Sequence, residues 1–170
     1  MGEKVCQPVA GLRRDMNIDM ENRLIDSFIA LIAGDAVINS AVAGRVRKYG
    51  SQTAKAAYPC ILVQIANLFP FDAVLGWYKA SVNLIAATHI ADDPDMATLR
   101  TLAGMLRGLI QSGRMDKELN MTQPARTRAT ALTVADAELA DTFEEEDGNA
   151  RRIGQTVAVV CRPSIGQNQG

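Results

Sequence analysis

The sequence has a single histidine, His89, in 170 residues. That excludes chemistry built on paired imidazoles. A metal site would also need more ligands than one imidazole and scattered acids can supply. Cysteine is scarce as well: Cys6, Cys60 and Cys161 are an odd, widely spaced set with no CxxC pair. They read as buried, reduced thiols, not as a zinc cluster or a disulfide framework. Cys60 and Cys161 both fall in strand-like runs, which could bring them close together. No phosphate-binding glycine loop, HExxH or GxSxG pattern occurs. The longest apolar runs, Phe28 to Ala33 and Cys60 to Ala66, fall well short of the ~20 residues of a membrane span. The N-terminus lacks the basic-then-apolar order of a secretory signal, and Cys6 stands where a myristoylation start needs Ser or Thr. There is no basic excess either. A net charge of −1 does not suit a domain that neutralises duplex phosphates. The pairs Arg13-Arg14, Arg47-Lys48 and Arg151-Arg152 read as solvated faces.

What remains is ordinary globular composition, 48% hydrophobic, in a length that suits one core. Residues 1–18 read as an arm, punctuated by Pro8 and Gly11 and without periodicity. A first helix is expected from Asp19 to Ala33, because Met20, Leu24, Ser27, Phe28, Leu31 and Ile32 share one side at helical spacing. Gly34 stops it. A short helical turn and a short strand near Arg45 to Lys48 follow, ending at Gly50. "CILVQIA", Cys60 to Ala66, has the β-branched density of a central strand. "NLFPFDAVLG" interrupts it. From Trp77 to Thr88 the residues alternate, with Tyr78, Ala80, Val82, Leu84 and Ala86 forming the more apolar face.

Asp93 then reads as an N-cap, Pro94 as the first helical residue and Asp95 as a dipole partner. Met96, Leu99, Leu102, Ala103, Leu106, Leu109 and Ile110 mark a buried stripe that Gly113 closes, which predicts a helix of about 30 Å. The last third promises strands over Arg128 to Thr142 and Arg152 to Arg162. Asp147-Gly148-Asn149 supplies the turn of an antiparallel hairpin. The C-terminal residues 164–170 read as a polar tail. The plan is α+β, an antiparallel or mixed sheet with two helices packed on one face, in a single domain over residues 19–163.

Few side chains invite chemistry. His89 precedes Asp92-Asp93 and could serve as a base beside those acids with Cys60 or a serine, but a loop imidazole near a helix start is the favoured reading. Asp92, Asp93 and Asp95 lack calcium-loop spacing, and helix capping accounts for two of them. Glu144, Glu145, Glu146 and Asp147 form the strongest charge run, either a solvated hairpin tip or an acidic contact surface. Phe69, Phe71 and Trp77 bracket Pro70 in a connection unusually apolar for a loop. It is either a hairpin tip folded into the core or an exposed anchor for another chain.

The order of elements carries a resemblance. A helix precedes "YPCILVQIA"; then come "WYKASVNLIAAT", an Asp-rich turn, a long helix and strands ending "TVAVVCRP". Over Asp19 to Pro163 this is similar to the tail terminator, or tail completion, proteins of long-tailed bacteriophages. The resemblance implies a virion structural protein, assembled in the host cytoplasm. It would form a ring, usually hexameric, that caps the tail tube and joins it to the neck or head connector. Implied partners are copies of itself, the tail tube protein, neck or head–tail connector proteins, and DNA that passes without sequence-specific binding. No cofactor, metal, membrane or enzymatic activity is expected. Phe69, Phe71, Trp77, Glu144, Glu145 and Glu146 are the expected contact residues. The competing readings are a neck or head-closure protein, a small enzyme using His89, and a cytosolic ligand-binding dimer walled by Phe69 to Tyr78.

Overall fold

The computed structural model describes residues 10–50, 57–71, 76–113, 115–121 and 132–163. The elements run α1 (Ala10–Gly34), α2 (Ala36–Ala41), β1 (Val46–Lys48), β2 (Cys60–Pro70), β3 (Tyr78–His89), α3 (Ala97–Ile110), α4 (Met115–Met121), β4 (Leu132–Asp147) and β5 (Ala150–Pro163). The five strands form one sheet in the order β1-β2-β3-β5-β4. β1 pairs parallel to β2, and all other pairs are antiparallel. The fold is α+β, with a mixed sheet and helices against one of its faces. Among the described residues no helix is long and apolar enough to cross a membrane.

Strand alternation decides which side is covered. Ile61 and Val63 of β2, Val82, Leu84 and Ala86 of β3, and Val157, Val159 and Cys161 of β5 all point to the helix side. There they meet Met20, Leu24, Phe28 and Ile32 of α1, and Leu99, Leu102, Ala103, Leu106 and Ile110 of α3. α1 lies over β1 and β2, and α3 over β3 and β5. Both apolar stripes fall where their spacing in the sequence put them. The pairing of β4 with β5 follows the expected hairpin, with Gly148 at a positive φ of 58° in the two-residue turn.

Several boundaries differ from the sequence reading. Only residues 1–9 of the expected arm, and the tail 164–170, lie outside the described residues; residues 10–18 belong to α1. Gly11 sits in the first turn, where a glycine interrupts little, and Leu12, Arg13 and Arg14 are good helix formers. β2 continues past Ala66 to Pro70, carried through a bulge between Ile65 and Asn67. A short helix, α4, went unforeseen. It buries Met115 and Leu119 and presents Asn120 to β4. The Asn120 amide donates to Val134 O at 2.9 Å, and its Oδ1 accepts from Val134 N at 2.8 Å. This side chain imitates a neighbouring strand at the outer edge of the sheet. Cys60 and Cys161 are on opposite faces of the sheet, in register with Ala87 and Tyr78 respectively, at opposite ends of β3. Burial pushes both thiols up, Cys161 to about 12.

α3 is shorter than predicted: its 14 residues span about 21 Å. Asp93 to Met96 form a turn, closed by Met96 N donating to Asp93 O at 3.2 Å, so the helix starts three residues late. Met96 occupies the N-cap in a left-handed conformation and offers no side-chain bond. Asp93 still serves the helix from further back. Its buried carboxylate accepts from Thr98 N at 3.0 Å and Leu99 N at 2.9 Å. Burial pushes this carboxyl up, but the Leu99 and Thr98 N–H groups outweigh it and hold it below its ordinary value of 3.8. A lowered folded value means that the stabilisation is fully present above pH ~4 and is lost as pH falls through the folded value. Asp93→Ala is therefore expected to cost about 0.5–2 kcal/mol at neutral pH. Urea unfolding of the two proteins from pH 7 down to pH 3 should show the gap closing on the acid side.

Candidate functional site

The second face of the sheet carries no helix among the described residues. Among the described residues, its own side chains and aromatic rings flanking the strands cover it. Cys60, Leu62, Ile85 and Ala87 are buried there, under Tyr49, Tyr58 and Phe143. Phe143 stands opposite Gly154 in register, and its ring occupies the space where a Cβ of residue 154 would lie. A glycine inside a strand often marks such a close approach. That was the signal in the sequence for this part of the face, together with an aromatic ring isolated within an acidic strand.

Beside this apolar patch lies Arg152, only 7% exposed. Its Nη1 is 3.0 Å from Glu145 Oε1 and its Nη2 3.1 Å from Asp147 Oδ2, and its guanidinium lies 5.6 Å from the Tyr49 ring. Burial disfavours the charge, but the Glu145 hydrogen bond and the negative charges around it more than compensate, so the guanidinium pKa is raised. The pair of carboxylates thus holds a cation on this face of the sheet. Farther along, the face turns polar. Gln64, Asn83, Thr156 and Asp141 make one row across four strands, and Thr156 Oγ1 donates to Asn83 Oδ1 at 2.8 Å.

The six residues expected to make contacts do not form one site. Phe69, Phe71 and Trp77 sit at one end of the sheet, at the turn between β2 and β3. None of the three is fully buried: Phe69 is 50% exposed, and the other two are half-buried. Phe71 N donates to Trp77 O at 2.8 Å, which closes the strand pair. Two cations rest on these rings: Lys79 Nζ is 4.3 Å from the Phe71 centroid, and the Arg162 guanidinium is 4.9 Å from that of Trp77.

Glu144, Glu145 and Glu146 lie at the opposite end, within β4 and not at a hairpin tip. Strand alternation divides them. Glu145 and Asp147 face the uncovered side and hold Arg152. Glu144 and Glu146 face the helices, where Glu146 is 3.5 Å from Arg151 Nε. Glu144 borders a cleft of about 220 Å³ between α3 and β4. In that cleft Arg107 donates to Thr142 Oγ1 at 3.1 Å, and Thr142 Oγ1 donates to Gln155 Oε1 at 2.9 Å. Two of the three glutamates are therefore committed to ion pairs inside the subunit.

His89 ends β3, with its ring 6.1 Å from that of Tyr58 and its Nδ1 accepting from Ala91 N at 3.2 Å. Asp92 and Asp93 meet it only through their backbone N–H groups, which donate to His89 O. Among the described residues, no three His, Cys, Asp or Glu side chains converge as a metal site would require.

The unpaired charges on the uncovered face were not singled out by sequence. Asp136 and Glu138 of β4 are exposed, as is Lys79 of β3, and none of the three has an ion-pair partner among the described residues. They flank a trough of about 330 Å³, walled by Phe69 and Lys79 on one side and Asp136 and Glu138 on the other, with Ser81, Ala158 and Val160 as its floor. The trough offers matched charges and a bare aromatic ring. The chain matches no family model and no curated protein.

Proposed function

We propose that this chain is a structural subunit of a long-tailed bacteriophage virion: a tail terminator that closes into a hexameric ring, caps the tail tube and joins it to the neck. The observation that carries this reading is the uncovered sheet face, four strands wide, with Phe69, Phe71 and Trp77 displayed at its end. A face of this kind, charged and aromatic without converging reactive groups among the described residues, suits association better than turnover. The order α1, β2, β3, α3, β4, β5 supports the resemblance read from the sequence. The long outer strand β4 adds a second argument, because its seven acidic residues include no lysine or arginine. An acidic strand at a sheet edge discourages indiscriminate pairing and would also let a polyanion pass without sticking.

Purified tail tubes provide the test. Tubes incubated with the chain are expected to stop elongating and to carry a ring at one end in negative-stain electron microscopy. Duplex DNA should not be retained at physiological salt. Tubes that keep growing with bare ends would refute the terminator role.

A further inference from the structure

We propose that the uncovered face is a self-recognition surface. Two copies stack sheet against sheet about a two-fold axis parallel to the strands, and Lys79 of each copy meets Asp136 and Glu138 of the other. The register places the charges. Phe69, Lys79, Val160 and Asp136 form one row across β2, β3, β5 and β4, and Asn67, Ser81, Ala158 and Glu138 form the next. Within one copy, Lys79 and the acids are two strands apart, about 10 Å at the usual strand spacing. All three side chains are exposed and lack ion-pair partners among the described residues.

The midline of the four long strands lies between β3 and β5. A two-fold axis along that midline reverses each row over itself, so β2 faces β4 of the other copy and β3 faces β5. Lys79 then stands over Val160 of the other copy, one strand from its Asp136 and Glu138. The polar row reverses equally well: Gln64 comes over Asp141 and Asn83 over Thr156. Phe69, exposed on the trough wall, comes over Asp136 at the rim of the other copy's trough. The alternative axis, across the strands, would set β4 against β4 and acid against acid, so charge selects the first. The contact is isologous and uses the face, whereas a ring closes through heterologous contacts. It therefore does not depend on the tail-terminator reading.

Sedimentation velocity from low to high micromolar concentration tests the pairing with two charge variants, Asp136→Lys/Glu138→Lys and Lys79→Glu. All three positions are exposed, so both variants should fold, which circular dichroism will verify. The wild type is expected to pair, and more weakly as salt rises. Each variant alone should pair at least ~10-fold more weakly, because like charges then face each other. An equimolar mixture of the two should restore the pair, since every contact across the axis again joins opposite charges. A wild type that stays monomeric throughout, or a mixture no tighter than its components, would overturn the proposal. Rings that form while neither charge variant weakens face-to-face pairing in sedimentation would refute the pairing and leave the ring reading standing. A rescued pair alongside tubes that stay bare would do the reverse.

Discussion

Gly154→Val is expected to destabilise the protein by about 1–3 kcal/mol, the range for overfilling a packed site. On strand propensity alone the substitution should help, since valine suits a central strand better than glycine does. The reversal of sign comes from Phe143. Its ring already occupies the position of a residue-154 Cβ, held there by the cross-strand register of β4 and β5. A larger residue must push that ring out over solvent and uncover Leu62 and Ile85, which no helix among the described residues protects on this face. Phe143→Ala removes the clash in advance, so Gly154→Val in that background should be neutral or stabilising. Urea denaturation of the four proteins gives the coupling energy directly. If the cycle closes additively, the ring does not roof the sheet.

The helix-covered half of the molecule was legible because one period governs each element. Met20, Leu24, Phe28 and Ile32 repeat at helical spacing, and Tyr78 to Ala86 alternate, so their shared core follows from pattern alone. The boundaries were less legible where local rules compete. Asp93-Pro94-Asp95 carries every sign of a helix start, yet a turn takes those residues and hands the N-cap to Met96. Asp93 still performs the capping, from three residues farther back. The acidic run was legible only in part, for a different reason. Read as a string, Glu144 to Asp147 is one patch. Placed in a strand, it sends alternate carboxylates to opposite faces, and Glu145 and Asp147 are consumed by Arg152. The uncovered face was the least legible part. Lys79 is far in sequence from Asp136 and Glu138, and only the strand order β2-β3-β5-β4 places them across one trough.

Two phenylalanines separate folding from association, and they should respond in opposite ways to the same truncation. Phe28 is completely buried where α1 meets the sheet. Phe28→Ala leaves a ring-sized cavity between layers that cannot fully collapse, so about 3–5 kcal/mol of stability is expected to be lost. That is a large share of the ~5–15 kcal/mol of a typical domain, and the variant should unfold at markedly lower urea. Phe69 is half exposed and gives up little on truncation, so Phe69→Ala should stay within about 0.5 kcal/mol of wild type. If Phe69 is an anchor for a second copy, the same variant should pair at least ~10-fold more weakly in sedimentation, because buried aromatic rings carry much of the energy of an interface. A Phe69→Ala protein that unfolds early would place the ring in the fold's own core. One that is stable and associates like wild type would remove the aromatic wall from the contact surface and leave charge alone to hold the two copies together.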